Sequence, residues 1–408
     1  MFSLDNSNYD SPKILTDKRN IIIKQPEKEN EQDKDGNKHN DNPENKDNKH
    51  QSKNNTGEMF PTKSEVDKKI TLAEIYMLCP NDFLEKFELL EIIKSGSAGV
   101  MIRGQLKNKE NNEQNKQFGF KFLIDLKEKR DSKRKTKRNN NKHLEISIHG
   151  KLKNIHFPEI YGYYKIEDYS CIAMEYIKYG DLENFKKKIL KRSYLSETWV
   201  LYIAGGIIEA LHYLHLKAKI IHMDIKQQNV LIDDFLTIKL TDFSVSIPYK
   251  YSKEFIDLPM VGTCYYMSPE ILGRKRILVT EASKIDVYSL GVLLYLLAYC
   301  DYPYKLNSVN SKDYSRIAKN IEENNLEFPD DTGHSVVFQD FLKNCLNKDI
   351  KKRFNILQVM NHPWYKGYQI ILNEKDKLYN ACKFVIDLMI DNIYKFNEYL
   401  KEIEKKLN

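Results

Sequence analysis

The order of the secondary-structure patterns along this chain is the feature that most constrains its fold. Apolar runs that predict β-strands come first, at 87–93, at 118–124 and twice within 161–176. Patterns that predict α-helices follow, at 197–216, 284–299, 336–345 and 355–362. No internal repeat is visible. A β-rich front followed by a helix-rich back predicts an α+β protein with two unlike lobes.

The N-terminal segment differs in composition from the rest of the chain. Residues 27–58 include no aliphatic residue and no Phe, Tyr or Trp. Such a stretch cannot bury enough apolar surface to offset its loss of conformational entropy, so we expect residues 1–60 to be disordered. Residues 61–86 are expected to form a helical extension, in which Ser64 is the predicted N-cap of a helix that ends at Leu78.

Five polar residues stand at short offsets in the middle of the chain. His222, Asp224, Lys226 and Asn229 come close together, and Asp242 follows thirteen residues after Asn229. Apolar runs of β type lie between Asn229 and Asp242. Polar residues at fixed offsets between buried strands are hard to explain by packing, so they indicate a chemical site.

This stretch resembles the catalytic loop and the metal-binding motif of protein kinases. His222-Met223-Asp224 takes the place of the family's H-R-D, and Asp242-Phe243-Ser244 takes the place of D-F-G. The resemblance extends over residues 87–365, and Lys226 and Thr263 are similar to their counterparts in serine/threonine kinases. It implies a eukaryotic-type protein kinase of the non-RD type. The implied fold has a small β-rich N-lobe and a large helical C-lobe.

The resemblance implies an enzyme that uses ATP and Mg²⁺ and phosphorylates serine and threonine hydroxyls of protein substrates. Asp224 is then expected to accept or orient the proton of the hydroxyl. Lys226 is expected to neutralise charge on the transferring phosphate, and Lys121 to hold the ATP phosphates. Asn229 and Asp242 are the expected magnesium ligands.

The implied nucleotide-binding residues come from several segments. A glycine-rich loop supplies Lys94, Ser95, Gly96, Ser97, Ala98, Gly99 and Met101. The next strand and helix supply Gly119, Lys121 and Glu145, the hinge supplies Met174, Glu175 and Tyr176, and Leu231 completes the set. The backbone of Glu175 and Tyr176 is expected to face adenine. Taken alone, the two glycines also fit a hairpin turn, and Lys121 and Glu145 also fit a solvated pair.

Three later residues are expected to have structural roles. Glu270 lies in Ser-Pro-Glu, which is similar to the A-P-E that ends the activation segment, and Arg353 stands where kinases place its partner. Asp286 is expected to anchor the backbone of the catalytic loop.

The chain departs from the family pattern at four positions. Lys94 replaces a loop glycine, Ser244 replaces the glycine of D-F-G, and Met223 replaces the arginine of H-R-D. His149 stands where many kinases have an apolar residue. None of the four removes a group that contacts magnesium or phosphate. The alternative function is a pseudokinase scaffold that binds nucleotide or partner proteins without catalysis.

The positive charge of the chain is concentrated in one segment. The formal net charge is +7, and residues 127–142 hold nine Lys or Arg and two Asp or Glu. A solvated loop insertion is the favoured interpretation, so nucleic-acid binding is the lesser alternative. Residues 133–138 resemble a nuclear localisation signal, and the six cysteines form no C-x-x-C pair. We expect a cytoplasmic or nuclear protein.

The C-terminal tail, residues 366–408, carries apolar residues at spacings of three and four, which predicts an amphipathic helix. The helix is expected to pack against the helical lobe, with self-association or a partner as the alternative. Residues 374–408 hold seven Lys and seven Asp or Glu, and this balance argues against a membrane.

Overall fold

A computed structural model describes residues 71–96, 99–107, 116–123, 144–166, 169–190, 194–310, 312–329 and 333–382. Several predictions lie outside these residues. They concern the N-terminal segment, the basic segment 127–142, the loop residues Ser97 and Ala98, and the end of the C-terminal tail.

The N-lobe is built on one antiparallel sheet of five strands in the order β1-β2-β3-β5-β4. The strands are β1 Phe87–Gly96, β2 Gly99–Leu106, β3 Gln117–Phe122, β4 Ile160–Ile166 and β5 Tyr169–Glu175. Successive side chains of a strand point to opposite faces of the sheet. In β3 this places Phe118, Phe120 and Phe122 in one apolar cluster, whereas Gly119 and Lys121 face the cavity between the lobes.

Two short helices pack against the Phe118–Phe122 side of the sheet. They are α1 Leu72–Leu78 and α2 Asn81–Lys86. Phe83 of α2 is 2% exposed, and its ring centroid lies 5.4 Å from that of Phe120. The Ser64 prediction is wrong, because Thr71 has an extended backbone and caps α1 in a capping box with Glu74.

A third helix, α3 at 144–149, lies on the other side of the sheet. Its Ile146 packs with Leu123, Ile172 and Met174. Glu145 precedes this contact residue and is 3% exposed. The helix therefore brings a carboxylate to the face of the sheet that carries Lys121.

The C-lobe is predominantly helical. Its first helix, α4 Leu182–Asn184, continues as a π-helical turn at Phe185–Leu190, and α5 Glu197–His212 continues in the same way at Tyr213–Ala218. The others are α6 Pro269–Leu272, α7 Lys284–Tyr299, α8 Tyr314–Glu323, α9 Val336–Cys345, α10 Ile356–Asn361 and α11 Pro363–Cys382. Short 3₁₀ turns occupy Gln227–Asn229, Cys264–Tyr266 and Pro303–Ser308.

Three small antiparallel strand pairs shape the loops of the C-lobe. They are β6 Ile220–Ile221 with β9 Ile247–Pro248, β7 Val230–Ile232 with β8 Ile238–Leu240, and β10 Phe255–Ile256 with β11 Ile277–Leu278. The β7–β8 hairpin lies between Asn229 and Asp242, so pairing of these strands returns Asp242 to the neighbourhood of Asn229.

Helices α5 and α7 form the centre of the C-lobe. Every residue of α7 from Lys284 to Ala298 is buried, as expected for a helix that is apolar on all sides. Glu197–Ala218 is the one helix among the described residues that is long and apolar enough to cross a membrane, and 78% of that stretch is buried within the protein. It is packed as a core helix.

Helix α11 continues without a break through the predicted domain boundary at 365/366. Its Tyr365 hydroxyl donates to Glu209 of α5 over 2.5 Å, and Ile371 is fully buried. An added Cβ at Gly205 of α5 would lie 2.2 Å from the ring of Tyr368, so the two helices approach closely there. The described part of the tail thus packs on the C-lobe.

Candidate active site

A cavity of about 420 Å³ lies between the sheet of the N-lobe and the loops of the C-lobe. Most of the predicted site residues line it, namely Lys94, Gly99, Met101, Gly119, Lys121, Met174, Glu175, Tyr176, Lys226, Asn229, Leu231 and Asp242. Ser95 and Gly96 lie at the end of β1 and do not line the cavity. Glu145 and Asp224 contact lining residues instead.

The β1–β2 hairpin approaches the end of β3 closely. Gly99 has φ +123°, and a Cβ built on it would lie 2.1 Å from the carbonyl oxygen of Phe122. Only glycine fits this position without a shift of the backbone. The backbone of the β1–β2 hairpin at Gly99 is therefore in close contact with the end of β3, the strand that carries Lys121.

Lys121 joins two elements that are far apart in sequence. Its Nζ is 2.5 Å from Glu145 Oε1 and 3.0 Å from Asp242 Oδ1. Burial by itself lowers the pKa of Lys121, but the two carboxylates outweigh burial and raise it above the usual value. The lysine is therefore cationic at physiological pH, as the predicted contact with phosphate requires.

Asp242 is held as a carboxylate. Burial opposes ionisation, but the Lys121 ammonium lowers the pKa of Asp242 well below its usual range. Burial also raises the pKa of Glu145, against the opposing effect of Lys121. Asp242 is therefore a carboxylate at physiological pH, which suits a metal ligand.

Asp224 is the centre of the catalytic loop. Its Oδ1 accepts hydrogen bonds from the backbone N–H and the hydroxyl of Thr263, both at 3.0 Å. Its Oδ2 accepts from Lys226 Nζ at 2.5 Å and from Asn229 Nδ2 at 3.0 Å. Lys226 also lies 3.0 Å from the Thr263 hydroxyl. The loop and the end of the activation segment are thus assembled around one carboxylate.

Helix α7 fixes the backbone of the catalytic loop through Asp286. Asp286 accepts from the backbone N–H groups of His222 at 2.8 Å and of Met223 at 2.9 Å. Met223 has φ +70° and is 5% exposed, so its side chain is packed in the core. The predicted pair of Arg353 with Glu270 is present, with two contacts of 2.9 and 3.1 Å.

The residues expected to hold magnesium fit that ion. Asn229 Nδ2 donates to the carbonyl oxygen of Asp224 at 2.8 Å, which leaves the amide oxygen available for a cation. The other donor is the Asp242 carboxylate. Amide and carboxylate oxygens are hard ligands, and Mg²⁺ prefers one or two of them together with phosphate oxygens and water.

Several residues that line the cavity were not in the predicted set. They are Ile93, Ile177, Gly180, Asp181, Gln228, Thr241 and Thr263. Ile93 and Thr241 adjoin predicted residues, so their neighbours were the available signal. Ile177 and Gln228 likewise adjoin Tyr176 and Asn229, whereas Gly180 and Asp181 lie farther from any predicted residue.

The hinge residue Glu175 is tied to its neighbours by backbone and side chain. The N–H of Glu175 donates to the carbonyl oxygen of Glu159 at 2.8 Å. Its carboxylate accepts from Lys239 of β8 at 2.9 Å. The N–H of Glu175 is therefore not available to a ligand.

Comparison with known sequences identifies the family. Residues 87–365 match the family model described as the protein kinase domain. This chain belongs to the eukaryotic-type protein kinase family. The five-stranded N-lobe and the helical C-lobe confirm the predicted two-lobed α+β kinase fold.

Individual relatives are similar over part of their length. Calcium-dependent protein kinase 17 of Arabidopsis thaliana is 32% identical, over 51% of this chain and 37% of the relative. An Aurora kinase of Debaryomyces hansenii is 29% identical, over 74% of this chain and 68% of the relative. A MAP kinase kinase of Saccharomyces cerevisiae is 29% identical, over 74% and 56%. The chain thus spans from about a third to about two thirds of these relatives, which belong to different kinase groups.

His149, one of the four departures from the family pattern, is buried next to the active site. His149 is 2% exposed, its Nε2 lies 3.0 Å from the carbonyl oxygen of Pro158, and its ring is 5.0 Å from Phe243. Burial lowers the pKa of His149 to about 4. The imidazole is therefore neutral at physiological pH. It extends from the last residue of α3 and packs against Phe243 of the Asp242-Phe243-Ser244 motif.

Proposed function

We propose that this kinase is catalytically active and transfers the γ-phosphate of ATP to serine or threonine hydroxyls of protein substrates. The observation that carries the proposal is the assembly around Asp224. Lys226, Asn229 and Thr263 all donate to its carboxylate, although Thr263 comes 39 residues later in sequence. Such preorganised charge and hydrogen bonding supply most of the rate in phosphoryl transfer.

Each group of the site has one task in the proposed reaction. Lys121, oriented by Glu145, binds the ATP phosphates. Asp224 orients the substrate hydroxyl and accepts its proton, while Lys226 neutralises the charge that develops on the transferring phosphate. Mg²⁺ bound at Asn229 and Asp242 would supply further neutralisation of phosphate charge.

The departures from the family pattern leave these tasks intact. Ser244 and Met223 contribute no ligand to the phosphate or the metal in the family scheme, and Lys94 lines the cavity without closing it. The pseudokinase alternative predicts nucleotide binding without turnover. Nucleotide binding by a wild-type protein that shows no turnover would support the pseudokinase alternative.

Phosphorylation of a generic protein acceptor should be measured for the wild type, Lys121→Met, Asp224→Asn and Asp242→Asn. Each substitution removes one charged group of the site and is expected to lower the rate at least about a hundredfold. Lys107→Met, at the exposed end of β2, is the matched loss of a lysine outside the site. A wild-type rate no higher than that of Asp242→Asn would show that the protein is not an active kinase.

The remaining proposals concern location and partners. We propose protein substrates, a cytoplasmic or nuclear location, and residues 133–138 as the nuclear signal. A fluorescent fusion with and without residues 127–142 tests the signal by its nuclear fraction. Self-association through the part of the tail beyond α11 is tested by sedimentation of the full chain against a chain ending at residue 382.

A further inference from the structure

A lysine stands at the first position of the glycine-rich loop, and its side chain reaches the opposite lobe. Lys94 Nζ lies 3.4 Å from Asp181 Oδ2. Lys94 belongs to β1 in the N-lobe, and Asp181 precedes α4 in the C-lobe. Both residues line the cavity, and the Lys94 side chain is 56% exposed, so the pair lies on the side of the cavity that faces solvent.

The Asp181 end of this pair is firmly held. Asp181 is 8% exposed, and its Oδ1 accepts from the backbone N–H and the side-chain amide of Asn184, both at 2.9 Å. Its backbone forms a β-bridge with Leu231. The carboxylate is therefore a fixed acceptor with one oxygen, Oδ2, turned to Lys94.

The Lys94 end belongs to a less regular segment. The β1–β2 register shifts between Ile92 and Lys94, and Lys94 is then paired with Met101. Gly96 and Gly99, two and five residues beyond Lys94, form the last described pair of the two strands. Holding Lys94 against the C-lobe therefore holds the hairpin over the cavity.

We propose that Lys94 and Asp181 form an interlobe clasp that slows the release of nucleotide from the cleft. The proposal rests on the proposed function, because it requires that the cavity bind ATP and ADP. Release then requires that Lys94 separate from Asp181, whose carboxylate is held in place by Asn184. A partly exposed ion pair contributes up to about 1 kcal/mol. A contribution of about 0.4–1 kcal/mol from the clasp means that its loss speeds release about two- to fivefold.

A direct contact of Lys94 with phosphate is the competing explanation for any effect of Lys94. The two explanations differ in what Asp181 does. If Lys94 acts through the clasp, its removal has no further effect once Asp181 is uncharged, and it speeds release of adenosine as much as that of ADP. If Lys94 acts on phosphate, its effect persists without Asp181 and is absent for adenosine.

The experiment is a double-mutant cycle on release rates measured by stopped flow with the full chain. The variants are Lys94→Gln, Asp181→Asn and the double variant, since Asn keeps the ability to cap α4. Lys94→Arg retains the charge, and Lys107→Gln, at the exposed residue that follows β2, is the matched control outside the site. We expect similar two- to fivefold increases for both single variants, no further increase in the double variant, a smaller increase for Lys94→Arg than for Lys94→Gln, and a wild-type rate for Lys107→Gln. Added salt should bring the wild type towards Lys94→Gln.

Failure of the clasp and failure of the proposed function give different results. Nucleotide binding with equal release from wild type and Lys94→Gln, or additive effects in the double variant, would overturn the clasp alone. Absence of binding by the wild type would overturn the proposed function and the control of release together. Hydrogen exchange of residues 89–95 in nucleotide-free protein tests the pair itself. The clasp predicts faster exchange in both single variants, and unchanged exchange would refute it.

Discussion

At the scale of single residues, the site depends on charges whose ionisation is set by burial and by partners. Lys121 is buried and Asp242 is partly buried, and each stabilises the charged form of the other. His149 is the opposite case, because it is buried without a carboxylate at hydrogen-bond distance and stays neutral. Because the folded protein holds His149 neutral, its free energy of unfolding falls at acid pH.

The pH dependence of stability should report His149. Its pKa is about 4 in the folded protein, against 6.5 for an unperturbed histidine side chain. Between these values the unfolded chain binds more protons than the folded chain, so stability falls as pH decreases from 6.5 to 4. The loss from this residue amounts to about 3 kcal/mol. His149→Gln cannot titrate and retains a donor for Pro158.

Urea unfolding of the wild type and of His149→Gln between pH 4.5 and 7.5 measures this contribution. The wild type should lose more stability on acidification, and the difference between the two proteins isolates His149 from the other histidines. Parallel pH profiles would mean that His149 is not buried as a neutral ring.

At the scale of elements, α1 and α2 add a packed layer on the face of the N-lobe sheet opposite α3. Phe83 contacts the rings of Phe87, Phe120 and Tyr164, and the Tyr76 hydroxyl donates to the carbonyl oxygen of Leu89 at 2.8 Å. These helices precede the family's domain, yet they bury the apolar face of its sheet.

Phe83→Ala should therefore destabilise the protein by about 3–5 kcal/mol, the usual range for removal of a buried aromatic ring. Met77→Ala is the matched control on α1, because Met77 is 87% exposed. Its expected effect is within about 0.5 kcal/mol. Guanidinium unfolding measures both, and equal midpoints for the two variants would contradict the packing role of α2.

Between its charged ends, Asp242 and Glu270, the activation segment, residues 242–270, is held near Tyr249 by neutral contacts. Tyr249 is 4% exposed, its hydroxyl donates to the carbonyl oxygen of His215 at 2.8 Å, and β9 pairs with β6. Met223 offers no charge for a phosphate. Lys239, another cation near the site, is paired with Glu175.

We therefore predict that the kinase is active without phosphate on this segment. Protein made with a co-expressed phosphatase, and of unmodified mass, should phosphorylate a generic acceptor at nearly the rate of untreated protein. Tyr249→Phe removes the hydroxyl and should lower this basal rate, because it loosens the segment that carries Thr263. A hundredfold gain on phosphorylation of one loop residue would refute the prediction.

At the scale of the whole molecule, acidic side chains beside the cleft are neutralised by partners, in one case from the opposite lobe. Asp181 is paired with Lys94 of the N-lobe. Glu183 lies 2.6 Å from Lys187 and 2.5 Å from Gln228 Nε2. Asp181 and Glu183 thus both already have a partner within the chain.

We predict from this only a weak preference for substrate arginine upstream of the acceptor. A peptide screen should show at most a severalfold advantage for arginine. Lys187→Ala frees Glu183 and should increase that advantage, whereas Lys188→Ala, the neighbouring exposed lysine, should leave it unchanged. A strict requirement for arginine in the wild type would contradict this prediction.

The sequence by itself determined the family, the order of the lobes and the residues of the catalytic loop. Asp224, Lys226 and Asn229 lie within six consecutive residues, and Asp242 follows across one short hairpin, so local backbone geometry suffices to bring them together. Helix α7 was predicted with both ends correct, because its apolar character is continuous and its flanks are not.

Only the tertiary structure decided which distant groups meet. Lys121 reaches Asp242 across 121 residues of sequence, and Lys94 reaches Asp181 across 87. No periodicity encodes such pairs, because they depend on how closely the two lobes approach. The same holds for Gly180, which lines the cavity beyond the hinge, and for Thr71 as the N-cap of α1. Their roles follow from backbone conformation and packing, and many sequences satisfy the same local pattern.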